Sequence, residues 1–304
     1  ALTADMQAGK VDTLVIVDAN PVYSAPADLA FGDKMAKVPL RIRLGLYEDE
    51  TSELCHWHLP ATHTLETWGD VRAFDGTVTI QQPLIAPLYQ GKSPLELLAA
   101  FVGKPGKTAH AILRGHWKTL HPEAFDTWFT RSLHDGVVAD SASAPAEVEL
   151  LQAPPQPADR APAPAFGTLE ILFRPDPTIW DGTYANNSWL QELPKPLSKL
   201  TWDNAALISP AAAQKLGLAN EQVVTLTVDG RTVDAPVWLQ PGMPDGVVTV
   251  HLGYGRSRGG SVLAGCGFNA NALRSSGKLW SATGVTVEKT GASYALASTQ
   301  HHHS

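Results

Sequence analysis

Short apolar runs between residues 202 and 254 predict four strands and one short helix. The predicted strands span 205–208, 223–228, 232–239 and 247–251. Ser209–Pro210 predicts the start of the helix, because Ser caps free backbone N–H groups and Pro fits the first turn, and Gly217 predicts its end. Asp229–Gly230 is typical of a two-residue hairpin turn. Short strands joined by tight turns favour a small closed β-barrel over a sandwich.

The first sixty residues follow a different pattern, in which apolar strands are predicted at 11–18, 39–46 and 54–59. A helix is predicted to start near Ser24 and to run to about Lys37. Strand, helix and strand at this spacing form a right-handed βαβ unit, so we expect a parallel sheet with helices on its faces. Asn20 follows the first strand, at the carboxyl edge where such sheets bind ligands, and a plain Asn–Pro turn is the alternative.

The chain of 304 residues therefore divides into two predicted domains and a linker. Residues 1–140 are predicted to form an α/β domain, 141–165 an Ala/Pro-rich linker, and 166–304 the all-β barrel domain. The linker composition favours extended polyproline II structure. A helix is predicted at 122–133 and ended by Gly136, packing the start of the linker onto the first domain. We expect Val15 and Val224 to lie in separate sheets.

Composition argues against nucleic-acid-binding, disulfide-rich and membrane-spanning proteins. The net charge of −7 and the isoelectric point near 5.9 argue against nucleic-acid binding, which requires a basic face. The two cysteines cannot build a disulfide framework or a four-cysteine cluster. No apolar run reaches the length of a membrane span. The chain begins with Ala, so we expect a mature piece or a fragment.

One cluster of side chains is typical of metal ligands. Cys55, His56, His58 and His63 lie close together in the sequence. Side chains alternate along a strand, however, so Cys55 should point away from His56 and His58. A common metal would then have only His56, His58 and His63 as ligands. We predict that no metal is held by Cys55, His56 and His58 and that Cys55 is buried as a small apolar side chain.

Two further stretches invite a chemical interpretation. The glycine-rich stretch 253–260 resembles a phosphate cradle, but the spacing of a dinucleotide fingerprint and the helix that should follow are missing. Arg256 and Arg258 within it could meet either a phosphate or a partner carboxylate. The second stretch is an acidic cluster, which is predicted to form a solvated face. It consists of Glu48, Asp49, Glu50 and Glu53.

The predicted barrel carries a set of short motifs that resembles a known family. The motifs are NA (204–205), LGL (216–218), GR (230–231), APV (235–237), PG (241–242) and GVV (246–248). In this order they resemble the C-terminal double-psi β-barrel domain of the molybdopterin oxidoreductase superfamily. The flanks are more specific and resemble the large iron–sulfur subunit of alternative complex III, a bacterial quinol-oxidising membrane complex. These flanks are NSWLQELP (187–194), KLTWDN (199–204), LGYGR (252–256) and GFNA (267–270).

The first part of the chain supports the same resemblance. Its motifs resemble the central α/β region of the superfamily, in the order in which that region precedes the final barrel. They include NPVY (20–23), KVP (37–39), HLP (58–60), LETWGD (65–70) and QQPLI (81–85). The resemblance therefore extends over nearly the whole chain.

The resemblance implies part of an oxidoreductase subunit of a quinol-oxidising electron-transfer complex, acting as a scaffold and docking module without a cofactor of its own. The alternative is the dinucleotide-binding portion of a catalytic molybdenum oxidoreductase, which would hold molybdopterin guanine dinucleotide. Iron–sulfur clusters are implied only in an absent portion, a ferredoxin-like domain following Ser304. The other implied partners are haem and integral membrane subunits, on the periplasmic side of the bacterial inner membrane.

The resemblance also implies contact residues if the fold binds a pterin dinucleotide. These candidates are Asn20, Gly267, Asn269 and Asn271. No catalytic or metal-ligating residue is implied, because neither iron–sulfur ligands nor a molybdenum-ligand segment can be located in this sequence. We therefore expect the isolated chain to be inactive. The terminal TQHHHS (299–304) resembles the join to the ferredoxin-like portion, and a trimmed purification tag is the alternative.

Overall fold

A computed structural model describes residues 1–149 and 169–300 of the chain. Most of the predicted linker and the terminal histidines lie outside these described residues. Within them the strands form a three-stranded sheet, a two-stranded sheet and a closed barrel, and Val15 and Val224 lie in different sheets. No helix in the described ranges is both long and apolar enough to cross a membrane.

The three-stranded sheet is parallel, with the strands in sequence order. It consists of β1 (Thr13–Val17), β2 (Leu40–Gly45) and β3 (Trp57–Pro60). Val15 is paired with Ile42, and Leu44 with Leu59. The accompanying helices are α1 (Leu2–Gln7), α2 (Pro21–Ser24), α3 (Phe31–Met35) and α4 (Glu50–Glu53). The strand directions are those that the βαβ spacing predicts.

Two boundaries predicted in this region are wrong. Where one helix was expected from Ser24 to about Lys37, α2 ends at Ser24 and a 3₁₀ turn and α3 follow, because Ala25 before Pro26 is extended and Ala30 is left-handed, with φ of 43°. The strand predicted at 54–59 begins only at Trp57. Asp49 caps α4 through the Ser52 N–H, and that helix takes up the residues in front of the strand.

A hairpin and three helices follow the parallel sheet along the chain. The hairpin of β4 (Gly69–Arg72) and β5 (Val78–Gln81) is antiparallel, and it was not predicted. Three helices follow: α5 (Pro94–Phe101), α6 (Ala109–Leu120) and α7 (Phe125–Asp135). Val78, Trp117 and Phe129 are buried together between the hairpin and the helices. The helix predicted at 122–133 corresponds to α7, and Gly136 ends it in the left-handed conformation as expected.

The predicted barrel is confirmed, and it is built from six strands. They are β6 (Leu169–Arg174), β7 (Ala206–Ile208), β8 (Gln222–Val228), β9 (Arg231–Leu239), β10 (Val247–His251) and β11 (Ser281–Ser293). The order around the barrel is β10-β6-β11-β8-β9-β7, and pairing of β7 with β10 closes it. Two short helices lie between strands: α8 (Ser188–Glu192) and α9 (Pro210–Leu216). The interior is aliphatic apart from Phe173 and Phe268, which gives the barrel its own core.

The parallel sheet and the barrel meet through polar contacts at their loops. Tyr23, in α2, donates its hydroxyl to the backbone oxygen of Tyr254 at 2.7 Å. The Ala27 N–H donates to the Arg274 oxygen at 3.0 Å, and the Asp28 carboxylate accepts from the Ser276 N–H at 2.8 Å. The loops that carry candidate functional residues therefore face one another across one junction.

Gly255 sits where two loops of this junction touch, and its replacement should be costly. Its φ is +65°, and a Cβ there would lie 2.2 Å from the Asn269 nitrogen, which is backbone and cannot rotate away. We expect Gly255→Ala to lower the free energy of unfolding by at least about 3 kcal/mol, from backbone strain together with the clash.

Gly265→Ala is the matched control for that experiment. Its φ of +78° is equally unfavourable for Ala, but nothing lies within 4 Å of the added Cβ. We expect a loss of about 1 kcal/mol for this variant in urea unfolding. Equal losses for the two variants would show that the loops do not approach each other as described.

Candidate functional site

A cavity of about 330 Å³ lies between the carboxyl edge of the parallel sheet and the loops of the barrel. Residues from both sides line it, among them Asp18, Asn20 and Tyr47 from the sheet and Asp181, Asn186 and Arg256 from the barrel. The carboxyl edge of an open parallel sheet is where such folds bind ligands. The volume of the cavity lies at the lower end of the range for small-molecule sites.

Asn20 lies at this edge, as the sequence predicted, but its side chain is bonded within the protein. Its amide nitrogen donates to Glu50 Oε2 at 2.8 Å. Its amide oxygen accepts from the Thr51 hydroxyl at 2.6 Å and from the Thr51 N–H at 3.2 Å. Asn20 therefore positions α4 beneath the barrel loop.

Glu50 is the centre of the junction. Its Oε1 accepts from Arg256 Nε at 3.0 Å, from the Ser257 N–H at 2.9 Å and from the Arg258 N–H at 3.1 Å. Its Oε2 accepts from Arg256 Nη2 at 2.9 Å in addition to the Asn20 amide. Both members of the ion pair are buried, with 8% of the Arg256 and 10% of the Glu50 side chain exposed.

The electrostatics of Glu50 follow from these contacts. Burial raises the pKa of a carboxyl group, but here the hydrogen bonds from Arg256 and Asn20 outweigh it and lower the pKa of Glu50 to about 2. The group is thus a stable carboxylate in spite of its burial. The predicted solvated acidic face is therefore wrong for Glu50.

The rest of the acidic cluster contains one buried residue and two exposed ones. Asp49 is also buried, and its carboxylate pairs with Arg43 at 2.8 Å. Glu53 is exposed and pairs with Arg258 at 3.0 Å. Glu48 is exposed as predicted. The sequence pattern does not reveal the burial of Glu50, because its basic partner Arg256 lies more than 200 residues away along the chain.

The three candidates at 267–271 lie on the barrel side of the junction. Gly267 has φ of +58°, and its N–H donates to Asp203 Oδ1 at 2.7 Å. Asn269 caps the 3₁₀ helix Ala270–Leu273 and lines a small cavity beside Glu50. Asn271 is 3% exposed, and its amide oxygen accepts from Arg274 Nη1 at 2.8 Å. The structure thus brings Asn20 and Asn269 towards one junction, whereas Gly267 and Asn271 make internal contacts.

Sequence reasoning missed two residues that hold this junction together. Tyr23 lies under Arg256, with the guanidinium carbon 4.5 Å from the centre of its ring. Asn204 joins two barrel loops, donating to the oxygens of His251 and Phe268 and accepting from the Phe268 N–H. Both residues belong to motifs of the family resemblance, Asn204 to KLTWDN (199–204) and Tyr23 to NPVY (20–23), so the resemblance carried a signal for each.

A buried ionic cluster holds Tyr254, in the barrel loop that carries Arg256. Lys195 Nζ donates to the Tyr254 hydroxyl at 2.7 Å and lies 3.7 Å from Asp176 Oδ2. All three side chains are buried. Burial lowers the pKa of Lys195, and the nearby Asp176 carboxylate opposes that shift. The cluster fixes Tyr254, whose backbone oxygen accepts from Tyr23.

The cysteine and histidines near β3 have partners of other kinds. Cys55, predicted to be buried as a small apolar side chain, is half-buried and packs at the edge of the core beneath the parallel sheet. His56 Nδ1 accepts from the Arg41 N–H at 3.1 Å, and His58 Nδ1 lies 3.0 Å from the Ser52 hydroxyl. In the described ranges no three metal-binding side chains come together. That no metal binds here stays a prediction.

Comparison with known proteins agrees with this geometry. Residues 182–286, which include most of the barrel and its loops, match the model of the molydopterin dinucleotide-binding domain family. The chain carries a molybdopterin oxidoreductase-like C-terminal module. It is 25% identical, over 299 residues and 91% of its length, to the molybdopterin-binding-like subunit of menaquinone reductase from Nitratidesulfovibrio vulgaris.

A solved structure shows the same fold. Acetylene hydratase from Pelobacter acetylenicus superposes on 95% of the chain with a TM-score of 0.65 at 15% sequence identity. At this identity the likeness concerns the fold alone. The chain spans less than half of either protein, 41% of the reductase subunit and 46% of the hydratase.

A molybdopterin cofactor is compatible with the family match, but one part of this molybdopterin oxidoreductase-like module does not fit it. The Arg256 guanidinium and the N–H groups of Ser257 and Arg258 converge on one point of loop 253–260, where they could hold a phosphate group. All of them are bonded to the Glu50 carboxylate. A phosphate therefore does not fit this loop while Glu50 is in place.

Replacing Glu50 should change how stability depends on pH. We expect Glu50→Gln to lower the free energy of unfolding by about 3 kcal/mol at neutral pH, because Arg256 is left buried without a counter-charge. The folded pKa of about 2 lies below the ordinary value of 4.5. The stabilisation is therefore present above about pH 4.5 and is lost as the pH falls towards about 2.

The measurement is urea unfolding of both proteins between pH 7 and pH 3, in which the difference between them should shrink as the pH falls. Glu53→Gln is the control, because its ion pair with Arg258 is exposed and should contribute less than about 1 kcal/mol. A wild-type advantage that stays constant with pH would contradict the ionised, buried Glu50.

Proposed function

We propose that the module is part of an oxidoreductase subunit of a quinol-oxidising electron-transfer complex, where it acts as a cofactor-free scaffold and docking module. The observation that carries the proposal is that the Arg256 guanidinium, the N–H groups of Ser257 and Arg258 and the Asn20 side chain are bonded within the chain. The name of the relative, a molybdopterin-binding-like subunit of a menaquinone reductase, supports a place in a quinone-linked complex, and the direction of quinol oxidation comes from the sequence resemblance alone.

We also propose a specific barrel topology and a division into domains. The barrel is of the double-psi type, which its six strands and its two parallel pairs, β6 with β10 and β7 with β9, support. Residues 1–140 act as an α/β domain of the superfamily, and residues 166–304 as the dinucleotide-binding-like domain. The module belongs on the periplasmic side of the bacterial inner membrane, together with a ferredoxin-like iron–sulfur domain, haem subunits and integral membrane subunits.

Exposed apolar side chains support the docking part of the proposal. Between residues 84 and 102 many large apolar side chains face solvent: Leu84, Ile85, Leu88, Tyr89, Leu98, Phe101 and Val102. Exposed apolar groups mark an interaction surface where they form a contiguous patch. Trp189 and Leu197 are a second exposed pair, on the barrel side, each about 80% exposed. Aromatic anchors of this kind dominate binding energies at interfaces.

The second candidate function is the molybdopterin-dinucleotide-binding portion of a catalytic molybdenum oxidoreductase. The match of residues 182–286 to the dinucleotide-binding domain favours it, as does the cavity at the carboxyl edge of the sheet. In that case Asn20 and Asn269, which border the junction, would contact the cofactor, with Gly267 and Asn271 shaping the loop behind them. The protein would supply binding and orientation, and the cofactor the redox chemistry.

Cofactor content and titration separate the two functions. We expect the purified chain to contain no molybdenum by elemental analysis and no pterin fluorescence after oxidation. We also expect it to bind no stoichiometric molybdopterin guanine dinucleotide in a titration, because its donors already have partners. An assay with a quinol and an artificial electron acceptor should show no turnover.

Stoichiometric binding with turnover would replace the scaffold proposal with the enzymatic one. Binding without turnover would make the module a cofactor holder. Asn20→Ala and Asn269→Ala should then weaken the binding, whereas Asn271→Ala, a change inside the barrel, should act mainly on stability.

A further inference from the structure

Loop 255–258 has the geometry of an anion-binding site. Two consecutive backbone N–H groups, those of Ser257 and Arg258, converge on one oxygen of Glu50 at 2.9 and 3.1 Å. The Arg256 guanidinium reaches both oxygens from the side, at 3.0 and 2.9 Å. Successive N–H groups that point into one concavity are a common way to bind phosphates and other oxyanions. An adjacent guanidinium adds a charged fork that matches such groups.

The donors are held in place by contacts other than those with Glu50. Arg256 Nη1 donates to the Gly182 oxygen at 2.9 Å, and the guanidinium lies over the Tyr23 ring. Gly255 and Gly259 have φ of +65° and +127°, so the loop backbone has turns that other residues rarely adopt. The site is therefore shaped by the barrel loops, and the carboxylate comes to it from a different part of the fold.

We propose that loop 255–258 is a binding site for a phosphate-like oxyanion and that this chain fills it with its own carboxylate, Glu50, in the place of a ligand. Glu50 comes from α4, more than 200 residues away along the chain. An anionic ligand group can enter only when Glu50 leaves, and this would also loosen the contact between the sheet and the barrel. The inference shares with the proposed function the observation that Glu50 occupies these donors, and it goes beyond that function by assigning the ligand chemistry of the loop.

Removal of the carboxylate should turn the site into a real anion site. Glu50→Ala leaves the donors in place and opens the space that the carboxylate occupied. We expect the melting temperature of the 304-residue variant to fall by several degrees and to recover when phosphate or formate is added. A rise of about 3 °C in 50 mM phosphate, relative to chloride at equal ionic strength, corresponds to a ligand at roughly ten times its Kd.

Three controls define the site. Wild-type protein and Glu53→Ala should show only the general salt effect, because in both the site is filled by Glu50. Glu50→Gln keeps the shape of the side chain, so it should lose stability without being rescued. Glu50→Ala combined with Arg256→Met should lose the rescue, because the guanidinium is gone.

Equal responses of Glu50→Ala and wild type to phosphate would overturn the proposal. If Glu50→Ala fails to fold in chloride, the yield of refolded protein in formate or phosphate decides in the same way. Recovery with the anions supports the site, and no recovery overturns it. Molybdenum and pterin content do not enter this experiment, so its failure is distinguishable from failure of the proposed function.

Discussion

The burial of one carboxylate against one guanidinium sets how the two halves of this module fit together. A buried charge without a partner is expensive, so Glu50 and Arg256 each require the other half of the fold. Glu50 is held in place by the Asn20 side chain, and Arg256 by the Gly182 oxygen and the Tyr23 ring. Displacement of the sheet relative to the barrel would leave both charges unsatisfied at once, and this makes the junction specific as well as stable.

The junction continues into the barrel through polar contacts. Tyr23 bonds to the backbone of Tyr254, and the Tyr254 hydroxyl accepts from Lys195, which lies beside Asp176. Asn204 and Asp203 hold the loop at 267–268 on the other side. These polar groups are buried, and their hydrogen bonds are made within the protein. Their role is therefore to hold the loops in place. This role is consistent with a dinucleotide-binding-like domain that serves as a scaffold.

Sequence reasoning succeeded where the physics is local. The turn at Asp229–Gly230, the cap at Ser209 and the end of α9 at Gly217 depend on neighbouring residues, and the structure contains each of them. It failed where local signals compete: Pro26 and Ala30 divide a region that looked like one helix, and the strand expected from residue 54, directly after α4, begins only at Trp57. Strands β6 and β11 were missed, because what identifies them is their pairing across the closed barrel.

By itself, the sequence determined the barrel, the parallel pairing of the first strands and the resemblance to molybdopterin oxidoreductases, because periodicity, turn residues and motifs are written along the chain. Only the tertiary structure decided the state of the candidate site. Asn20 was correctly placed at the sheet edge, yet its partner Glu50 looked like a surface charge, and loop 253–260 resembled a phosphate cradle that lacked the usual spacing and helix. Whether a charged group is solvated or buried depends on what folds against it. For Glu50 that partner lies more than 200 residues away.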